Sequence, residues 1–188
     1  MENETLLQLI QVIMTCLLAV ASIIAAIIAY FTYQNSKKQK IRDTTVSIIT
    51  KMTSDAHLAH MLERFRQLRY FMEGPGKEIK NWEEFNKTTF VIGERAHSAS
   101  QTLKDMFNFY EAISLGVVEG WLDKEIIKDF WRSSLVLDWL DFQIIVQDFR
   151  DNGGAGSELF SKYEALARDW AIGDEPKKFL KSHPDGKA

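Results

Sequence analysis

At 188 residues, 46% hydrophobic and 12% aromatic, the chain has room for one domain of ordinary size beside a membrane anchor, and not for two. The formal charge is −3, from 23 Lys and Arg against 26 Asp and Glu, two of which, Glu2 and Glu4, precede an apolar block. That near balance excludes a dedicated nucleic-acid binder, which needs surplus cations to displace phosphate counterions. The lone cysteine, Cys16, excludes a disulfide framework or cysteine metal site within one chain.

No charged residue occurs from Thr5 through Ser36, and Val12 to Phe31 is almost wholly aliphatic. Twenty such residues at ~1.5 Å each match a ~30 Å hydrocarbon layer, which predicts a transmembrane helix. A cleaved signal peptide needs a basic start and a shorter core, whereas here the start is acidic and the basic residues follow. Lys37, Lys38, Lys40 and Arg42 stand directly after the block, with Tyr30, Phe31 and Tyr33 before them. The positive-inside bias and an aromatic belt then predict a single pass, N-terminus out and C-terminal domain in the cytoplasm. Ala21, Ala25 and Ala29 recur every four residues, a face of small side chains where a second helix can approach and self-association can occur. Ser22 and Thr15 can bond to their own helix carbonyls.

The remainder reads as all-α, a cytoplasmic helical bundle. The predicted division is an anchor segment 1–36, a basic stalk 37–55, a bundle 56–173 and a tail 174–188. Ile41, Ile48, Ile49 and Met52 have helical spacing in the stalk. Thr53, Ser54 and Asp55 mark a break and a new N-cap. Leu58, Met61, Leu62, Phe65, Leu68 and Phe71 or Met72 then form a stripe that Gly74-Pro75-Gly76 ends.

Asn81 with Glu84 resembles a capping arrangement, and Trp82, Phe85 and Phe90 predict a short helix that starts there and packs on the core. The longest periodic segment, Ser98 to Val118, places Leu103, Met106, Phe107, Tyr110, Ile113 and Val117 on one side, and Gly120 closes it. Asp123 caps a following helix from Ile126 to Phe149 whose apolar residues wrap most of its circumference, the expected centre of the bundle. Gly153-Gly154-Ala155-Gly156 stops it, and Ser157 is the expected cap of a last helix with Leu159, Phe160, Tyr163, Leu166 and Trp170. The tail after Gly173 reads as loose. No segment has a convincing strand period.

Candidate chemistry is sparse. Glu94 and His97 have the Glu-x-x-His spacing that aims two ligands one way on a helix, but a di-iron bundle needs a second copy and two further glutamates. His57 and His60, with Glu63 a turn on, have the spacing to bind a divalent ion on a helix face. No metal and no cofactor is predicted from either set, and a polar face accounts for both. Glu111 borders the apolar stripe of the longest periodic helix, with Arg132 and Arg95 as candidate partners. Its expected role is a structural clasp rather than an acid or base. Asp138 and Asp141, beside Trp139, read as a solvated edge. No phosphate loop or nucleophile elbow occurs.

The stretch Asn108 to Trp139, with Asn-Phe-Tyr-Glu at 108–111, Gly116, Gly120-Trp121-Leu122-Asp123, Trp131 and Asp138-Trp139, resembles a widespread family of small bacterial and phage proteins classed as a domain of unknown function. Members often follow one N-terminal membrane helix. The resemblance extends to the anchor, the basic stalk and the last helix. It implies architecture, and a place at the inner membrane in phage–host conflict or as an accessory subunit. It supplies no catalytic residues. The function expected from all of this is a membrane-tethered, non-enzymatic interaction module whose partners are the lipid bilayer and either another protein or itself. An oligomerising membrane effector and a metal-dependent hydrolase are the alternatives.

Overall fold

A computed structural model of the protein describes residues 2–74, 79 and 81–171. The predicted stop at Pro75-Gly76 and the predicted tail after Gly173 lie outside the described residues. The chain divides into two compact units, Met1–Asp43 and Thr44–Ala188.

Anchor and stalk residues share one helix, α1 (Glu2–Ser54), 53 residues long. Nothing between them breaks it: there is no Gly or Pro before Ser54, and the hydroxyls of Thr15 and Ser22 bond back to the carbonyls of Gln11 and Leu18, both at 2.8 Å. Among the described residues from Ile13 to Phe31 the large apolar side chains are exposed. Leu17, Leu18, Ile23 and Ile28 are each 59–65% exposed, and the helix is long and apolar enough to cross a membrane.

The second unit begins on the last three turns of α1. Thr45 is fully buried, and its hydroxyl accepts from the backbone N–H of Asp123 at 2.8 Å. Then follow α2 (Ala56–Met72), α3 (Trp82–Lys87), strands β1 (Thr89–Ile92) and β2 (Arg95–Ser98), α4 (Ala99–Val118), α5 (Lys124–Asn152) and α6 (Ser161–Ala171). Local chemistry sets the starts of four helices. The carboxylate of Asp55 accepts from the amides of His57 and Leu58, Asn81 from Glu84, Ser98 from Gln101 and Asp123 from Glu125 and Ile126. Each side chain satisfies N–H groups that the first helical turn leaves without partners. Gly120, at φ 70, provides the left-handed residue that ends α4.

The all-α expectation needs correction, because the fold is mostly helical but carries a two-stranded antiparallel hairpin. Thr89 pairs with Ser98, Phe90 with His97, Val91 with Ala96 and Ile92 with Arg95. The two-residue loop Gly93-Glu94 turns the chain, with Gly93 at φ 62, the backbone such loops require. Phe90 points into the core at 2% exposure while Val91 stands out at 67%, the alternation of a half-buried strand. Four residues per strand are too few for that alternation to register in the sequence.

Two further expectations shift. The bundle's central helix is α4, which packs against α2, α3, α5, α6 and the hairpin. α5 keeps Phe130 and Ile144 more than half exposed, so its extra apolar residues face outward. The last helix begins at Ser161 and not after Ser157. Phe160 sits at positive φ, 57°, a conformation that breaks the helix and inserts its ring into the core at 3% exposure.

Phe107 lies at the centre of the core. Fully buried, its ring has its centroid 5.0 Å from that of Tyr163, 5.4 Å from Phe160, 6.1 Å from Phe142 and 6.2 Å from both Phe65 and Trp139. Several of these pairs are edge-to-face, the arrangement that ring quadrupoles favour. These rings come from α2, α4, α5, α6 and the turn before α6, so one aromatic cluster joins most of the second unit.

Candidate functional site

On α2 and its C-cap, the residues Leu62, Glu63, Arg66, Arg69, Tyr70 and Glu73 recur at three- and four-residue spacing and share one face. With Tyr110 of α4 and Ser134 and Asp138 of α5 they line a cleft of about 640 Å³, inside the roughly 300–1,000 Å³ range of ligand sites. Its floor is a polar knot. Arg69 donates from Nη1 to Asp138 Oδ1 at 2.9 Å and from Nη2 to Asp141 Oδ2 at 2.7 Å. Asp138 and Asp141 are one helical turn apart, so both reach one guanidinium. The second oxygen of Asp138 accepts from the Tyr110 hydroxyl at 2.6 Å. The knot therefore ties α2, α4 and α5 together. Arg69 Nε is buried with no acceptor among the described residues.

Asp138 is 3% exposed, and burial raises its pKa to about 6, against the hydrogen bond from Tyr110 and the charge of Arg69, which lower it, with Asp141 adding to the rise. Desolvation outweighs the salt bridge here, as expected where a carboxylate is taken from water. Tyr110 is held well above its ordinary range by burial first, then by the neighbouring Asp138 charge and hydrogen bond, so it remains a neutral donor. Asp141 is also raised, by burial and by the charge of Glu73. The cleft mouth carries a second pair, Arg66 with Glu63, and Gln67 also donates to Glu63 at 2.8 Å.

Asp138 is the residue the sequence reading misplaced. A solvated edge was expected, yet it stands three residues after Leu135 and four before Phe142, both buried, and so lies on the core stripe of α5. That spacing was visible in the sequence. Its partners on α2 and α4 were not.

Glu111 and Arg132 both act on α6. The carboxylate of Glu111 accepts from the backbone N–H groups of Lys162 at 3.1 Å and Tyr163 at 2.7 Å, and supplies at long range the cap that Ser157 was expected to provide. At the other end Arg132 donates through Nε and Nη2 to the carbonyl oxygen of Trp170, at 3.2 and 3.0 Å. An anion at the N-terminus and a cation at the C-terminus complement the helix dipole. This pair holds α6 in place through its backbone.

The metal candidates do not converge. Glu94 lies in the exposed hairpin turn and His97 on β2 beside Phe90, so the two do not share a helix face. His57 borders a smaller depression of about 310 Å³ with Lys51, Asp55 and Phe109, His60 is exposed, and Glu63 is engaged by Arg66 and Gln67. Among the described residues no three His, Cys, Asp or Glu side chains are placed to hold a metal ion. Ala21, Ala25 and Ala29 lie exposed along α1.

Fold and site define a mostly helical protein, with a polar-floored cleft in one unit and one helix of sufficient length and apolarity to cross a membrane. The chain belongs to the family described as Domain of unknown function (DUF4760), which it matches over residues 18–170. That match runs from within the apolar part of α1 to Trp170 near the end of α6, and takes in both units. No curated protein and no solved structure matches the chain.

Proposed function

We propose that this protein is a membrane-tethered, non-enzymatic recognition module: α1 crosses the inner membrane of a bacterium once, and the unit from Thr44 onward works in the cytoplasm as an interaction domain or accessory subunit. The observation that carries this reading is the uncovered apolar segment of α1, in which nine aliphatic or methionine side chains from Ile13 to Ile28 are each at least half exposed. At ~1 kcal/mol or more for each such side chain left in water, the aqueous cost is comparable to the whole stability of a domain, 5–15 kcal/mol. Lipid removes that cost. The basic cluster from Lys37 to Arg42 sets the orientation by the positive-inside bias and suits anionic headgroups.

The cleft supports a recognition role over a catalytic one: Arg66 and Arg69 are held by Glu63, Asp138 and Asp141, and among the described residues neither a nucleophile with a base nor a metal set faces it. Tethering raises the local concentration of a partner at the same surface. The test is extraction of membranes from bacterial cells expressing the full chain. The protein stays in the pellet through an alkaline carbonate wash, and protease digests the Thr44–Ala188 unit in inverted vesicles but not in intact spheroplasts. Release by carbonate, or digestion in spheroplasts, overturns the reading.

A further inference from the structure

The cleft has a directional charge. At its Arg69 end one guanidinium meets two carboxylates, Asp138 and Asp141, that bond to it directly, and a third, Glu73 at the C-cap of α2, lines the same cleft and acts electrostatically on Asp141. Glu73 is exposed and has no cationic partner among the described residues. The Arg66–Glu63 pair is self-neutralising, so negative charge is in excess at one end only. Beside it stand two apolar surfaces on the same face of α2, Tyr70 at 63% and Leu62 at 42% exposure. The α2 wall runs from Ala59 to Glu73, about 21 Å at ~1.5 Å per residue, a length that suits a peptide better than a compact metabolite.

We infer that this cleft is the docking site for a basic peptide segment of a partner protein, with a lysine or arginine side chain entering at Glu73 and Asp141 and its alkyl stem lying on Tyr70. Charge complementarity selects the occupant: an acidic or neutral segment leaves Glu73 unpaired, whereas a cationic one balances it. The exposed ring of Tyr70 adds an attraction for the same cation, and Leu62 covers an apolar neighbour in the segment. Asp138 and Tyr110 stay beneath this contact, fixing Arg69 and, through it, Asp141. The inference rests on the recognition reading of the Thr44–Ala188 unit and is independent of whether α1 spans a bilayer.

The experiment is fluorescence anisotropy with the full chain in neutral detergent micelles at near-physiological salt. The probes are a fluorescein-labelled Lys-Leu-Lys-Lys-Leu-Lys peptide and its counterpart with Glu for every Lys. The basic peptide binds and the acidic one does not. Glu73→Gln weakens binding about fivefold, the scale of one partly exposed ion pair, and Tyr70→Ala weakens it by a similar factor. Both residues are exposed and neither variant disturbs the core. Glu83→Gln, which removes an exposed carboxylate on α3, leaves affinity unchanged. No binding of the basic peptide, equal binding of both peptides, or equal effects of Glu73→Gln and Glu83→Gln overturns the inference. Because micelles replace the membrane, these outcomes leave the carbonate and protease tests of the tether untouched, so the two readings fail separately.

Discussion

The apolar part of α1 and the bundle that follows are both rich in large apolar side chains, and they use them in opposite ways. Between Ile13 and Ile28 nine aliphatic or methionine side chains, spread around the helix, are each at least half exposed. From Thr44 onward Phe107, Tyr163, Trp170 and Phe142 are each at most 2% exposed and packed ring against ring. Hydrophobicity alone does not distinguish a core from an anchor. Periodicity does: α4 interrupts its apolar stripe with Gln101, Lys104 and Asn108, whereas the apolar block has no polar face to turn toward water.

The contrast is sharpest in the response to truncation. Phe107→Ala removes the ring on which several helices converge and is expected to destabilise the second unit by about 3–5 kcal/mol. Ile24→Ala, in the exposed part of α1, leaves the unfolding midpoint in detergent unchanged. Tryptophan fluorescence during urea unfolding reads the bundle alone, because all five Trp lie between Trp82 and Trp170. An equal shift from both variants breaks the distinction.

The next effect comes from pH. Asp138 binds its proton more tightly in the folded state, at about 6 against an ordinary 3.8, so between these values the native state holds a proton that the unfolded state has released. Stability from this group is therefore highest below about pH 4, falls as pH rises toward 6 and is lost above it. The span is on the order of 3 kcal/mol. Asp138→Asn, which cannot titrate, flattens this part of the stability profile. Asp141 is raised as well, so a smaller slope of the same sign remains. An unchanged profile in Asp138→Asn contradicts the assignment.

A smaller loss is expected from Glu111→Ala, about 1–2 kcal/mol, because two amides at the start of α6 lose their acceptor and the dipole loses its anion. Hydrogen exchange localises it: protection falls at Lys162 and Tyr163 before the rest of the bundle. Uniform loss across the bundle argues for a different role.

What was legible in the sequence was what local chemistry decides. Asp55, Asn81, Ser98 and Asp123 cap their helices within three residues of themselves, so the signal and its partner sit together in the chain. The start of α6 was misread because its cap comes from Glu111, 51 residues away from Lys162. The hairpin escaped because each strand is four residues long and its turn, Gly93-Glu94, overlaps a Glu-x-x-His pattern that suggests a helix. The cleft was legible only in part. Asp141 read as part of a solvated edge, and only the fold, which brings α2 to α5, gives it Arg69 as a partner.

The central claim, that lipid covers the apolar part of α1, is tested most directly by the protein's own thiol. Cys16 is the single cysteine, and it lies exposed on α1. In membranes holding the full-length chain, a membrane-impermeant maleimide leaves Cys16 unmodified, and the same reagent labels it fully after SDS is added. Labelling in intact membranes as fast as in SDS contradicts the account.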